Sequence, residues 1–142
     1  MKQKITKLIG MVALVIMMVT LNASAVFADF GTGTVHVPIN QVMTLAEEDV
    51  SRSKDYSFLT IGAISVYPSQ VNKEDNFKKC KTQLFMCNTG TTVSKIYVLE
   101  EGALYSKVYL NEGRLNLSTV DIKFSGNSDT YPAYVNYYYN GN

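Results

Sequence analysis

The chain has 142 residues, of which 13 are Lys or Arg, 12 are Asp or Glu and one is His, so its formal net charge is +1. A nearly neutral chain lacks the basic surface that binds nucleic acid or an anionic membrane. Its single histidine, His36, and its two cysteines are too few for a structural zinc site, and they leave a catalytic dyad or triad with one candidate base. We therefore expect a protein that is not an enzyme, with no metal, no cofactor and no nucleic-acid partner.

The first 28 residues, MKQKITKLIGMVALVIMMVTLNASAVFA, have the composition of a secretory signal peptide. Three lysines precede an apolar run of about 14 residues, shorter than the roughly 20 that cross a bilayer, and small residues follow it. We predict cleavage after Ala28, with cleavage after Ala25 as the alternative. The segment 1–28 thus predicts a secreted bacterial protein without a stable membrane anchor.

Residues 29–142 form the predicted mature chain, which has the length of one domain. The three lysines of the signal leave ten basic and twelve acidic residues here, a net charge of −2. Alternating or β-branched segments, separated by turn signals that contain glycine, predict short strands and no amphipathic helix. The predicted strands are 34–45, 56–66, 79–88, 93–99, 103–110, 115–124 and 130–139.

Several features of these segments predict how the strands lie in a sheet. Pro38 interrupts the first strand and indicates a bend or a sheet edge, and the polar run 47–55 predicts a loop. The segment 56–66 is apolar on both faces, which is typical of a central strand covered on both sides. The alternation changes phase at Ser118–Thr119, which predicts a bulge or a corner. Together these elements predict an all-β domain, an antiparallel β-sandwich of about seven or eight short strands that is immunoglobulin-like or jelly-roll-like.

Cys80 and Cys87 both lie in the predicted strand 79–88, and their spacing argues against a disulfide bond between them. At about 3.3 Å per residue the two α-carbons lie roughly 23 Å apart, whereas a disulfide bond needs about 4.4–6.8 Å. We expect two free thiols, with Cys80 as a small buried residue and Cys87 on the polar face. A bridge within the chain through an unrecognised turn and a bridge between chains are the alternatives.

The C-terminal segment TYPAYVNYYYNGN contains five of the ten tyrosines. Alternation places Tyr134 and Tyr138 on the face of the strand away from the core, and Pro132 near its start indicates an edge strand. Tyrosine offers a large amphipathic surface that binding sites favour; packing alone is the alternative explanation, because tyrosine is common in strands. The candidate binding residues are Tyr134, Tyr137, Tyr138 and Tyr139.

These features predict a secreted, non-catalytic β-sandwich that acts as a binding or protein–protein interaction module. The expected partner is another protein, or a second copy of the chain, that pairs with the C-terminal strand by β-augmentation. An extracellular carbohydrate-binding module is an alternative, because tyrosine rings stack on sugars, although the chain has no tryptophan. A small secreted antagonistic protein is a further alternative.

Overall fold

A computed structural model describes residues 28–70 and 78–142. The predicted signal peptide, except for Ala28, lies outside these residues. The described part of the chain has eight β-strands, and it has no helix long and apolar enough to cross a membrane. The strands are β1 (Phe30–Val37), β2 (Thr44–Ser51), β3 (Phe58–Pro68), β4 (Lys79–Phe85), β5 (Tyr97–Glu100), β6 (Ser106–Tyr109), β7 (Thr119–Gly126) and β8 (Ala133–Asn140).

The strands form two antiparallel sheets of four strands each. The first sheet has the order β1-β8-β3-β6, and the second sheet has the order β2-β7-β4-β5. Among these eight strands, only β4 and β5 follow one another within a sheet, and every other connection passes from one sheet to the other. This alternation is the jelly-roll arrangement. The predicted all-β sandwich is therefore confirmed, and of the two arrangements expected, the strand order is that of the jelly roll.

The core lies between the two sheets and follows the two-residue periodicity of the strands. Burial of the inward-facing apolar side chains stabilises the fold by roughly 25 cal/mol per Å². The Phe124 ring stacks on Tyr137 inside this core, with ring centres 4.8 Å apart. Further buried apolar side chains include Val37, Leu59, Ile61, Val66 and Val108 of the first sheet and Val50, Leu84, Leu99, Val120 and Ile122 of the second.

The segment predicted as one strand, 34–45, contributes to two strands that lie in different sheets. β1 ends before Pro38, and a turn with positive φ angles leads to β2. The prediction of a loop over 47–55 is wrong, because the first half of this run belongs to β2. β2 is an edge strand with two register shifts, and Val50 is its one buried residue, so its sequence is polar although it is a strand.

β3 is an interior strand of the first sheet, as its apolar sequence predicts. The prediction that both of its faces are covered is wrong, because Ile64 is 50% exposed at a register shift between Ala63 and Ser65. Glu101, which directly follows β5, accepts a hydrogen bond on its carboxylate from Val66 N–H at 2.8 Å. Val66 pairs with β8 on one side, and β6 pairs with β3 only as far as Ile61, so Glu101 satisfies a backbone donor on the side of β3 that has no strand there.

β8 is also an interior strand, so the prediction of an edge from Pro132 is wrong. β8 pairs with β1 along one side and with β3 along the other. Its first residue is Ala133, so Pro132 precedes the ladder and its missing N–H removes no strand hydrogen bond. A partner strand consequently has no free edge of β8 with which to pair.

The two cysteines occupy different kinds of position. β4 ends at Phe85, so Cys87 lies in the turn that follows and not in the strand. Cys80 is buried in the core, Cys87 is half-buried, and both thiols are free. The phase change at Ser118–Thr119 is a corner, because β7 begins at Thr119.

A buried arginine holds this corner. Arg52 is 1% exposed, and its backbone N–H donates to Ser118 O at 2.9 Å. The guanidinium donates hydrogen bonds to the carbonyl oxygens of Leu115, Leu117 and Tyr56. These contacts give the two terminal nitrogens of a buried charge acceptors in place of water, and they join the end of β2 to the corner. The Arg52 Nε atom has no hydrogen-bond partner among the described residues.

Candidate binding site

The outer face of the first sheet carries the C-terminal tyrosines. Odd-numbered residues of β8 point into the core, and even-numbered residues, among them Tyr134 and Tyr138, point outward. Strand pairing places Thr32 of β1 and Gly62 of β3 on either side of Tyr138. The surface around Tyr138 is therefore built by three strands that are distant in sequence.

The Tyr138 ring lies over the backbone of Gly62. A Cβ atom at position 62 would lie 2.2 Å from a ring carbon of Tyr138, which is far inside van der Waals contact. Gly62 itself is buried. Glycine thus leaves the space in which the ring packs against the sheet. The part of the ring that does not cover Gly62 remains accessible on the outer face.

A cavity of about 680 Å³ opens beside Tyr138 on this outer face, and we call it the tyrosine cavity. Its aromatic walls include Phe30 at the start of β1, Phe58 in β3 and Tyr105 just before β6. Its volume is within the range of roughly 300–1,000 Å³ that is typical of small-ligand sites. The full lining is Phe30, Gly31, Thr32, Phe58, Thr60, Tyr105, Lys107, Tyr138, Tyr139, Asn140 and Asn142.

Of the side chains that the structure places around the cavity, that of Lys107 is the one that carries a charge. Its Nζ atom lies 4.6 Å from the centre of the Phe58 ring, a cation–π contact that positions the ammonium group. Within residues 28–70 and 78–142, the ion pairs involve other lysines, and no carboxylate pairs with Lys107. This part of the chain therefore presents a positive charge to the cavity without a carboxylate partner.

The polar groups of the cavity hold one another in place. The Asn142 side chain donates to Phe58 O at 3.1 Å and accepts from the Thr60 hydroxyl at 3.1 Å. The Asn142 N–H donates to the Asn140 side chain at 2.8 Å. Because these groups are positioned before a ligand arrives, a ligand that contacts them loses little affinity to side-chain ordering.

A second aromatic cluster lies on the same face, farther along β8. Tyr134 contacts His36 and Tyr67, with ring centres 5.0 Å and 5.5 Å apart. A row of hydrogen-bonded polar side chains centred on Asn136 separates this cluster from the tyrosine cavity. Tyr134 is consequently on the outer face but outside the cavity.

The four tyrosines singled out in the sequence have three different environments. Tyr138 lines the cavity, Tyr134 belongs to the second cluster, and Tyr139 is half-buried at the cavity margin. Tyr137 is 2% exposed, and its hydroxyl donates a hydrogen bond to the Glu47 carboxylate at 2.7 Å. Burial, with the Glu47 hydrogen bond, raises the pKa of Tyr137. Tyr137 is thus a core residue that does not reach the outer surface.

Sequence reasoning missed the cavity residues that lie outside β8, chiefly Phe30, Phe58, Tyr105 and Lys107. They come from β1, β3 and the start of β6, and only the strand order brings them beside the C-terminal tyrosines. One local signal was present. The sequence YSKVY (105–109) places a lysine between two tyrosines on one face of a strand.

Among the described residues, one group of three side chains has the donor types of a metal site: Asp49, Cys87 and Asp121, whose ligand atoms lie within 4.8 Å of one another. The Cys87 thiol lies beside both carboxylates, which interact with it electrostatically. Burial, together with the two carboxylates, raises the pKa of Cys87 to about 11. A thiol that stays protonated at neutral pH is a poor nucleophile. This group therefore does not point to catalysis.

Comparison of the chain with protein-family models, with curated proteins and with solved structures finds no match in any of the three. The jelly-roll fold by itself does not identify a function, because one fold hosts many unrelated sites. Functional inference for this chain consequently depends on the chemistry of the tyrosine cavity.

Proposed function

We propose that the protein is a secreted, non-catalytic binding module and that its ligand is a saccharide held in the tyrosine cavity. The observation that carries this proposal is the Tyr138 ring, which packs over Gly62 and lines a cavity of about 680 Å³. A ring whose position is fixed by the sheet is a stacking platform that needs no rearrangement on binding.

The cavity offers partners for both surfaces of a sugar ring. Sugars have apolar C–H faces and a rim of hydroxyl groups. The rings of Phe30, Tyr105 and Tyr138 offer apolar area, while the side chains of Thr60 and Asn140 offer hydrogen-bond donors and acceptors. A mostly apolar wall with a few placed polar groups is the usual composition of a small-ligand site.

Lys107 favours saccharides that carry a carboxylate, such as polymers of uronic acids. Its ammonium group has no carboxylate partner in the described structure, so an acidic sugar would complete an ion pair there. An exposed ion pair contributes about 0.2–1 kcal/mol, which corresponds to a gain in affinity of roughly 1.4-fold to fivefold. We therefore expect a modest preference for acidic over neutral saccharides.

Isothermal titration calorimetry of the mature chain with polygalacturonate, and with a neutral galactan of similar length, tests this proposal. Replacing Tyr138 by alanine (Tyr138→Ala) should weaken binding of both polymers by about tenfold, because it removes the stacking platform. Lys107→Gln should weaken binding of polygalacturonate by roughly 1.4-fold to fivefold and leave galactan binding unchanged.

Two matched variants distinguish the loss of a cavity residue from the general effect of losing a tyrosine or a lysine. Tyr134 lies on the same face but outside the cavity, and Lys54 is an exposed loop residue. Tyr134→Ala and Lys54→Gln should bind both polymers as the wild type does. If no polymer binds across a panel of acidic and neutral polysaccharides, or if Tyr134→Ala and Tyr138→Ala lose the same affinity, the proposal is wrong.

A further inference from the structure

The two described sheets have four edge strands, and three of them carry features that hinder pairing with another chain. β5 and β6 have only four residues each. β2 has two register shifts and the acidic residues Glu47, Glu48 and Asp49. Short length, bulges and charge are the devices by which natural proteins protect sheet edges.

β1 is the edge strand without these protections. It has eight residues, and it pairs with β8 without a register shift. Its sequence FGTGTVHV contains no acidic residue, no lysine or arginine and no proline. A long, regular and uncharged edge is a template for another strand.

The free backbone groups of β1 belong to its even-numbered residues. Gly141 N–H donates to Asp29 O at 2.7 Å, in line with the β1–β8 ladder, while Asp29 N–H donates to Ser51 O. This one bond identifies Asp29 and Gly141 as the hydrogen-bonded kind of pair. Hydrogen-bonded pairs alternate along an antiparallel ladder, so the odd-numbered residues of β1 exchange bonds with β8. The remaining N–H and C=O groups point away from β8, and no described residue bonds to them. They belong to Phe30, Thr32, Thr34 and His36.

The side chains beside this edge suit a second strand. Phe30 is 83% exposed at the start of β1, so an added strand would cover part of its ring. The inward-facing residues near the middle of the edge are Gly31 and Gly33, which present no bulky side chain to an approaching strand. The edge therefore offers free backbone groups, exposed apolar area and little steric hindrance.

We propose that a second copy of this chain pairs with β1 in antiparallel orientation, so that the two first sheets join into one sheet of eight strands. A two-fold axis at Gly33 uses every free N–H and C=O group of the edge. It places Phe30 opposite His36 of the partner subunit and Thr32 opposite Thr34 of the partner subunit. The aromatic pair contributes roughly 0.2–1 kcal/mol, whereas the Thr34 hydroxyl donates to Asn136 within its own subunit and adds no bond across the edge.

A second copy fits this edge because β1 carries no charged side chain. Two paired β1 strands would therefore bring no like charges together. The acidic residues of β2 act against association, since each copy brings its own set near the same side of the sandwich. Salt screens repulsion between exposed charges. The dimer should therefore become tighter as ionic strength rises, whereas a dimer held by ion pairs would become weaker.

The dimer also has a consequence for binding. Phe30 and Thr32 of β1 line the tyrosine cavity, so pairing through β1 brings two cavities onto one continuous outer face. One polymer that occupies both cavities would then bind with higher avidity than either cavity provides. This consequence rests on the proposed function, and the dimer itself does not.

Sedimentation velocity of the mature chain over a concentration series tests the dimer. Thr34→Pro removes an N–H that points to the free edge, so it costs no bond to β8 but blocks the partner strand. Thr34→Val is the matched control, because it loses the same hydroxyl while keeping the N–H. Thr34→Lys places a charge at the edge and serves as a second variant if the proline variant does not fold.

We expect the wild type and Thr34→Val to dimerise with the same affinity, and Thr34→Pro and Thr34→Lys to raise the dissociation constant at least tenfold. A wild type that stays monomeric at every concentration would overturn the proposal. So would a dimer that Thr34→Pro and Thr34→Lys leave unchanged, or one that salt weakens. These readouts need no saccharide, so a failure of the dimer is distinct from a failure of the proposed ligand.

Discussion

Gly62 determines where the Tyr138 ring lies, and the reason is space, not backbone conformation. Its φ angle is not positive, so any residue could adopt its backbone geometry. The ring of Tyr138 occupies the volume that a side chain at position 62 would fill. A glycine in a strand often marks a close approach of this kind, but the sequence does not say which group approaches.

Gly62→Ala should therefore disturb binding more than stability. The Tyr138 ring is the outer end of a side chain and can turn toward solvent, so the free energy of unfolding should change by less than about 1 kcal/mol. Displacement of the ring should lower the affinity for polygalacturonate by about fivefold, measured by calorimetry beside urea unfolding.

Gly33→Ala is the control for this variant. A Cβ atom at position 33 would lie 2.4 Å from the hydroxyl of the buried Tyr137, so this substitution should destabilise the fold. Wild-type affinity in Gly62→Ala would show that the position of the Tyr138 ring does not matter for binding.

A carboxylate supplied by another element contacts β3 directly after its register shift. Glu101 follows β5 in the second sheet, yet it accepts a hydrogen bond from Val66 N–H in the first sheet. This bond, with a smaller effect of Lys78, holds the pKa of Glu101 below its ordinary value of 4.5. A depressed carboxyl pKa means that the folded state favours the ionised form, so Glu101 stabilises the fold above pH 4.5.

Glu101→Gln should lower the free energy of unfolding at neutral pH by about 1–2 kcal/mol, because a hydrogen bond to a charged acceptor becomes one to a neutral acceptor. The difference from wild type should shrink as the pH falls below about 4.5 and the wild-type carboxylate takes up its proton. Urea unfolding at several pH values measures both effects.

Glu100→Gln provides the comparison for Glu101→Gln. Glu100 pairs with Lys79 at 3.0 Å on the surface, where the two side chains are largely exposed. Exposed pairs contribute little, so this variant should unfold almost as the wild type does at every pH. An equal loss in both variants would contradict the special role of Glu101.

Local patterns predict most of the strands, but the sheet order depends on contacts between distant residues. The alternation of 130–139 correctly separates the inward Tyr137 from the outward Tyr138. β2 cannot be recognised in the polar run 47–55, because an edge strand buries few residues and so has few apolar ones. The inference of an edge strand from a single proline failed at Pro132, because that residue lies one position outside the ladder.

The candidate site, like the sheet order, can be predicted only in part from the sequence. Tyr138 can be predicted from strand alternation alone. Its neighbours Phe30 and Lys107 cannot, because they meet it only after β1 and β6 take their places in the first sheet. The cavity is thus a property of the strand order, which a single sequence does not reveal.

At the scale of the whole molecule, the two outer faces of the sandwich differ in chemistry. On the second sheet, Lys79 is paired with Glu100, and Lys123 lines a smaller pocket together with the carboxylates of Glu48, Asp49 and Asp121. On the first sheet, aromatic rings and polar side chains surround Lys107, which has no carboxylate partner among the described residues. The first sheet is therefore the face that we expect to bind a ligand.

A chemical-shift titration of the nitrogen-15-labelled mature chain with an oligogalacturonate would show which face binds. We predict that the largest shifts occur at the backbone amides of Thr32, Thr60 and Tyr138, while those of Lys81 and Lys123 on the second sheet stay unchanged. Shifts concentrated on the second sheet, or none at millimolar oligosaccharide, would contradict the assignment of the tyrosine cavity as the binding site.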